Sequence, residues 1–243
     1  MKNILSLLVL ICSVAVITVS CAKKDDSTAA AAAGDIAGTG TTASGTITGN
    51  DNLTGVFHTS WYGQEPSGGC VDNSTGPGGA ITAHSYLASD AQSFKKMWIV
   101  TGASSFTMSE VQYSDTNCST MTAYFNKLAD NVTIGSALTG LTAGSDPAFP
   151  TSANKISYTY TKYSIFANTT VTVASYLSRL GVTLTSGEEK EIDEPDPAIE
   201  YNLIAAGDTT CSISQTKSCL YLGDGSSADN KTDWGSSDTY WKE

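Results

Sequence analysis

The stretch Lys155-Ile156-Ser157-Tyr158-Thr159-Tyr160-Thr161-Lys162-Tyr163-Ser164-Ile165 decides the fold class. Ile156, Tyr158 and Tyr160 fall on one side of an extended chain, and Ser157, Thr159 and Thr161 on the other. Period two with one apolar side is the mark of a β-strand with one wet face. Similar runs recur on both sides of it: Leu53–Tyr62, Ala80–Ala88, Phe94–Thr101, Ser105–Tyr113, Thr120–Asn126, Asn131–Ala137, Tyr201–Ala205, Thr210–Ser214 and Ser218–Gly223. They are rich in Thr, Tyr, Val and Ile and are punctuated by Gly, Asn and Asp. In Ser105–Tyr113 the apolar phase shifts. Phe106 and Met108 share one face, while Val111 and Tyr113 share the other, so a bulge is expected there.

One segment breaks the pattern. Val173, Tyr176, Leu177 and Leu180 stand at helical spacing, with Thr169 or Thr170 as the cap and Gly181 as the stop. Many short strands with one short helix predict a mainly β protein. The expected form is a single antiparallel β-barrel or a strongly curved sheet, since closure removes the exposed edges that invite aggregation.

The chain has 243 residues, with 40% hydrophobic and 15% charged content, enough apolar material for a real core. Its net charge is −11. Such a surface repels phosphate backbones and anionic lipid heads, which argues against nucleic-acid binding and electrostatic membrane adhesion. Only one arginine is present, Arg179, so a site recognising phosphate or carboxylate by a bidentate arginine clamp has almost nothing to build with.

The N-terminus reads as an address. Lys2 precedes an apolar run from Ile4 to Val19, the pattern of a secretory signal. The run is too short for a spanning helix, which needs ~20 apolar residues. Ser20-Cys21 then resembles the lipobox of bacterial lipoproteins. Thr18 stands where leucine is usual, as in the relaxed lipoboxes of spirochaetes. The resemblance implies cleavage before Cys21 and attachment of diacylglycerol and a further acyl chain, such as palmitate, to it. Each buried CH₂ of those chains contributes about 0.8 kcal/mol to anchoring. Ala22 implies the outer membrane by analogy with enterobacterial sorting.

Residues 21–52 are mainly Ala, Gly, Thr and Ser and read as a flexible tether with an r.m.s. span of roughly 30 Å. The expected organisation is a signal peptide at 1–20, lipidated Cys21 and tether at 21–52, and a β domain at 53–243.

Cys12 leaves with the signal and Cys21 is acylated, so Cys70, Cys118, Cys211 and Cys219 remain. An even number in an exported domain fits two disulfides. Three pairings are possible, and Cys70–Cys118 with Cys211–Cys219 is favoured, the second as a short local loop. There is no C-x-x-C pair and only two histidines, so zinc is not expected.

The acidic segment Glu188–Glu200 contains Glu188, Glu189, Glu191, Asp193, Glu194, Asp196 and Glu200. It reads as a solvated loop, with Ca²⁺ binding as the minor reading. Pro195 and Pro197 exclude regular structure between them. Asp224 to Asn230 resembles half a Ca²⁺ loop, but Ala228 and the missing closing Glu favour an ordinary turn.

His58 and His84 alternate with apolar neighbours in expected strands and read as structural. A hydrolase would need an unrecognised site around His58, His84 or the acidic segment, such as a Ser–His–Asp set with Ser60 or Ser85 and Asp72. No nucleophile elbow, zincin motif or phosphate loop is present. No catalytic residue, cofactor or metal is expected.

Leu53-Thr54-Gly55-Val56-Phe57 and Trp61 precede Cys70; Tyr113-Ser114-Asp115-Thr116-Asn117-Cys118 follows a strand; Cys219-Leu220-Tyr221-Leu222-Gly223-Asp224 stands near the end. Together these resemble bacterial lipoproteins with a lipocalin-like β-barrel. The resemblance implies a non-enzymatic binding module at the envelope, with a small apolar ligand or an envelope or host protein as partner. A structural lipoprotein with no discrete ligand is the alternative, and a hydrolase is less favoured.

Overall fold

The computed structural model describes residues 41–59, 67–72, 87–141, 149–207, 218–230, 232–234 and 238–242. Among these, ten strands occur: β1 (Val56–Thr59), β2 (Val71–Asp72), β3 (Ser93–Gly102), β4 (Ser105–Tyr113), β5 (Met121–Thr139), β6 (Ser152–Ala167), β7 (Glu189–Asp193), β8 (Ile199–Gly207), β9 (Cys219–Leu222) and β10 (Asp238–Trp241). One α-helix, α1 (Thr170–Leu180), follows β6.

Every pairing is antiparallel, and the order is β1-β10-β9-β8-β6-β5-β4-β3. β1 also pairs with β3, Phe57 opposite Trp98, and this closes eight strands into a barrel. β2 adds to β3, and β7 adds to β6 outside the ring.

Register and alternation fix which side chains enter. Phe57, Trp98, Val100, Phe106, Ala129, Ile156, Tyr158, Ile204, Leu220, Leu222 and Tyr240 converge in the interior cluster. Its centre is aromatic. Trp98 stacks on Phe106 at 4.5 Å, and Phe106 meets Phe106's neighbour Tyr158 edge-on at 5.0 Å. This fills the half of the barrel nearest the β3–β4 turn. Tight contacts of this kind add about 0.5–1.5 kcal/mol beyond area burial.

Residues 45–53 close that end. Ile47 and Leu53 are fully buried in the same cluster. Ser44 N–H donates to Val100 O at 2.9 Å and Thr48 N–H to Ala103 O at 2.8 Å. The folded body thus begins well before Leu53, and 41–52 belongs to it rather than to the tether. One large apolar side chain, Ile47, and free backbone donors suffice to seat this small-residue run. The rest of the expected tether, and the signal with Cys21, lie outside the described residues.

The expected helix forms as read. Thr169 accepts from Thr172 N–H, Thr172 answers with its own side chain, and Gly181 ends the helix at φ 68°. α1 lies at the opposite end of the barrel. Tyr176 is buried there against Phe125, Ile165 and Ala167.

Several expectations change. Thr120–Asn126 and Asn131–Ala137 are one strand, β5, with register shifts at Leu128/Ala129, Asp130/Thr133 and Ile134/Ala137. Asn131 sits at φ 56°, so a polar break in the pattern marks a bulge and not a turn. In β4 the phase change has no internal bulge: its pairing with β5 is regular from Phe106 to Gln112. Both faces of β4 are covered, so Val111 and Tyr113 are apolar on the outer side while Glu110 and Gln112 point in. The acidic segment is not all loop: β7 and the start of β8 lie within it, interrupted at Pro195 and Pro197. Ala80 to Tyr86, Thr210 to Ser214 and Ser60 to Tyr62 lie outside the described residues, while β2 and β10 were not foreseen.

Cys70 and Cys118 form a disulfide with Cα atoms 5.8 Å apart, joining the segment before β2 to the β4–β5 loop. Cys219 is disulfide-bonded; Cys211 lies outside the described residues. The β4–β5 loop is organised by Asp115. Its carboxylate accepts from Asn117, Ser119 and Thr120 N–H and from the Ser119 hydroxyl. This explains the Tyr-Ser-Asp-x-x-Cys motif: the aspartate ties the loop that holds Cys118 at φ 54°.

Candidate functional site: the polar mouth beneath the helix

Above the aromatic half, the interior changes character. Lys96 of β3 stands opposite Glu110 of β4, and Glu110 opposite Phe125 of β5. Met108 stands opposite Lys127, and Lys127 opposite Tyr163 of β6. After Tyr160 the register of β6 shifts by one residue, so Tyr163 and Ile165 join Tyr158 and Tyr160 on the inner side. Glu200 and Asn202 of β8 pair with Tyr158 and Ile156 and share that side. A belt of charged and phenolic groups therefore crosses the barrel between two apolar layers.

α1 adds the chain's single arginine to this belt. Arg179 Nη1 lies 3.7 Å from Glu110 Oε1, beyond hydrogen-bond reach. The Glu110 side chain is only 12% exposed, and the Arg179 guanidinium is its cationic partner. The Arg179 guanidinium is 5.6 Å from the Phe125 ring centre and 6.0 Å from that of Tyr176. Lys127 Nζ is 5.9 Å from Phe125 and 5.5 Å from Tyr160. Two cations thus flank one ring, an arrangement in which each contact contributes about 0.5–1 kcal/mol.

The electrostatics follow from burial. It pushes the Glu110 carboxyl above its ordinary value, against the opposite pull of Arg179, Lys96 and Lys127. It draws the Lys127 ammonium down, and the like charge of Arg179 adds to this. Tyr158 and Tyr160 are raised, chiefly by burial. The phenols stay protonated and act as donors: Tyr160 Oη lies 3.0 Å from Met108 Sδ. Trp98, one row below Lys96, has an indole N–H without an acceptor among the described residues.

The other expected positions fall elsewhere. His58 is on the outer face of β1, its ring 5.2 Å from that of Trp241. Gly69, at φ 67°, approaches so closely that a Cβ there would lie 2.2 Å from His58 Nδ1. The histidine is therefore packed under backbone. His84, Ser60 and Ser85 lie outside the described residues. Asp72 pairs with Ser93 in the β2–β3 ladder.

The acidic side chains disperse to separate partners. Glu189 accepts from Tyr124 and Ser164, Glu191 pairs with Lys162, and Glu194 accepts from Tyr163. Among the described residues no group of three or more His, Cys, Asp or Glu side chains is placed to hold a metal ion. Asp224 to Asn230 makes a turn in which Ser226 bridges Tyr201 and Asp229 pairs with Lys155. Among the described residues no helix is long and apolar enough to cross a membrane.

Sequence reading missed this charged belt. Its one signal was the broken phase of Ser105–Tyr113, where Glu110 takes an interior position that an apolar residue would normally hold. Compared with known proteins, the chain matches no protein family and no curated sequence.

Proposed function

We propose that the chain is a lipid-anchored envelope protein whose barrel is a non-enzymatic binding module, with its ligand seat in the polar mouth beneath α1. The observation that carries the reading is the division of the interior. The half near the β3–β4 turn is filled by Phe57, Trp98, Phe106 and Tyr158 and is closed by Ile47 and Leu53. The other half gathers Lys96, Glu110, Lys127 and Arg179 around aromatic rings, with the buried Glu110 carboxylate paired to Arg179. Such a charged belt costs desolvation that a plain structural core avoids. Convergent polar groups on an apolar wall are the usual makeup of a ligand site.

This differs from a simple apolar cup, because the deep part of the barrel holds the protein's own side chains. The anchoring half of the proposal rests on Ser20-Cys21 after an apolar run and on the small-residue stretch that follows. Native mass spectrometry of the full chain, purified in mild detergent from the cells that make it, tests both halves. The expected spectrum shows a chain beginning at acylated Cys21, with a small molecule released on activation. A chain starting elsewhere defeats the anchor, and a bare acylated chain defeats the binding module.

A further inference from the structure

We infer that the outer ridge of α1 rests on the bilayer that holds the chain, with Val171, Leu177 and Leu180 seated among uncharged lipid. The inference rests on the lipid-anchor half of the proposed function and adds which face of the barrel meets the membrane.

The helix has two sides. Thr172 and Tyr176 are buried against the barrel, and the Arg179 guanidinium turns the same way, over the Phe125 and Tyr176 rings. On the other side every third residue, Val171, Ala174, Leu177 and Leu180, is apolar and exposed. Residues three apart are neighbours on a helix surface, so the four make one continuous ridge. Four large apolar side chains are exposed among the described residues, and three of them are here: Val171 at 38%, Leu177 at 49% and Leu180 at 37%. Single exposed leucines are ordinary, whereas a contiguous row marks a contact surface. The fourth, Ile199, is 50% exposed and stands apart at the start of β8, opposite Thr159.

Two observations select lipid as the occupant. The first is the course of the chain. Ser44 N–H donates to Val100 O, in the row of Phe106 and Ala129 near the closed end. Ala43 packs on the outer wall with Ile99, Val111 and Tyr124, and the Thr41 hydroxyl accepts from Asn126 Nδ2 at 3.4 Å. Asn126 lies further along β5 toward Thr122, whose carbonyl accepts from Asn168 N–H just before α1. Followed back toward Cys21, the described chain therefore runs down the wall toward the α1 end. The second is charge. The chain carries 24 Asp and Glu residues, yet α1 has none, so nothing on the ridge repels phosphate head groups. Its only ionised side chain, Arg179, is turned inward. Three part-exposed side chains fall far short of the ~800 Å² per partner of a standard protein interface. A chain already held at the membrane by acyl groups needs only a weak further contact, because its local concentration there is high.

The test places the full acylated chain in phosphatidylcholine nanodiscs that contain a lipid spin-labelled in its upper acyl chain, and reads methyl NMR line widths. The Val171, Leu177 and Leu180 methyls are expected to broaden several-fold more than those of Ile199, which is just as exposed but lies off the ridge. Leu177→Gln with Leu180→Gln is expected to bring Val171 down to the level of Ile199 while leaving the thermal melt unchanged. If that pair fails to fold, Leu177→Gln alone is expected to reduce the broadening of Val171, and Leu177→Phe to keep it. Equal broadening of Ile199 and the ridge, or none at either, overturns the docking. Ridge methyls that are out of reach of a soluble gadolinium chelate and yet not broadened by the lipid label reveal a second copy or another protein there, and also overturn it. In each of those cases an acylated, disc-bound chain leaves the anchor standing. A chain with unmodified Cys21 that stays off the discs defeats both readings.

Discussion

Asp115 shows how one side chain holds a loop. Its backbone and hydroxyl donors keep the carboxyl well below the usual carboxylate range, the Ser119 N–H contributing most. A lowered folded value means that the stabilisation is complete above the unfolded pKa of about 3.9 and is lost as pH falls through the folded value. Asp115→Ala is expected to cost about 1 kcal/mol at neutral pH, the scale of a lost cap. In urea melts, that difference should shrink in acid. Glu110 has the opposite sign. Burial raises its folded value, so the native chain holds the proton more tightly than the unfolded one. Its stabilisation is complete below the unfolded pKa of about 4.3 and is lost as pH rises through the raised value. Glu110→Gln should therefore melt at a higher temperature than the parent at neutral pH, with the gap closing below pH ~4.3. A gap independent of pH would contradict the buried assignment. Neither behaviour was legible in the sequence. Asp115 stood in the Tyr-Ser-Asp-x-x-Cys motif without a role of its own, and Glu110 lay unremarked in the strand whose apolar phase shifts.

Elements were easier to read than residues. The helix was legible because capping is local: Thr169, Thr172 and Gly181 lie within one short segment and make their bonds to each other or to adjacent backbone. Thr169→Ala is expected to cost about 1 kcal/mol, with loss of helical signal near Tyr176 in hydrogen exchange. β6 was legible in its first half, where period two runs unbroken through Ile156, Tyr158 and Tyr160. Its second half was not, because the register shift near Lys162 turns Tyr163 and Ile165 inward. β5 was split by Asn131, whose positive φ belongs to a bulge that the partner strand stabilises. β7 was hidden in an acidic run. Its charges are tolerated because Lys162, Tyr163, Tyr124 and Ser164 meet the carboxylates of the acidic segment from the neighbouring strands. A partner supplied from elsewhere in the chain leaves no trace in local composition.

For the whole molecule, the many short strands point to a barrel or a strongly curved sheet, and closure itself depends on non-local pairing. β10 joins β1 to β9 through four residues near the C-terminus, a segment too short to stand out. The expected Cys70–Cys118 bridge spans 48 residues and ties the β2 side to the β4–β5 loop. On chain-entropy grounds its loss costs about 4 kcal/mol. The Cys70→Ser, Cys118→Ser pair should show that fall in urea unfolding, with the barrel circular-dichroism spectrum retained under native conditions. The mouth is the part least visible in sequence, since Lys96, Glu110, Lys127 and Arg179 meet only once four elements are assembled.

An experimental electron-density map of the full chain, purified without stripping of bound molecules, puts that assembly to the most direct test. The account predicts non-protein density beneath α1 in contact with Lys127 Nζ and the Phe125 ring, above an aromatic base containing none. A mouth sealed by its own side chains, with no route from solvent to Lys127, would contradict it.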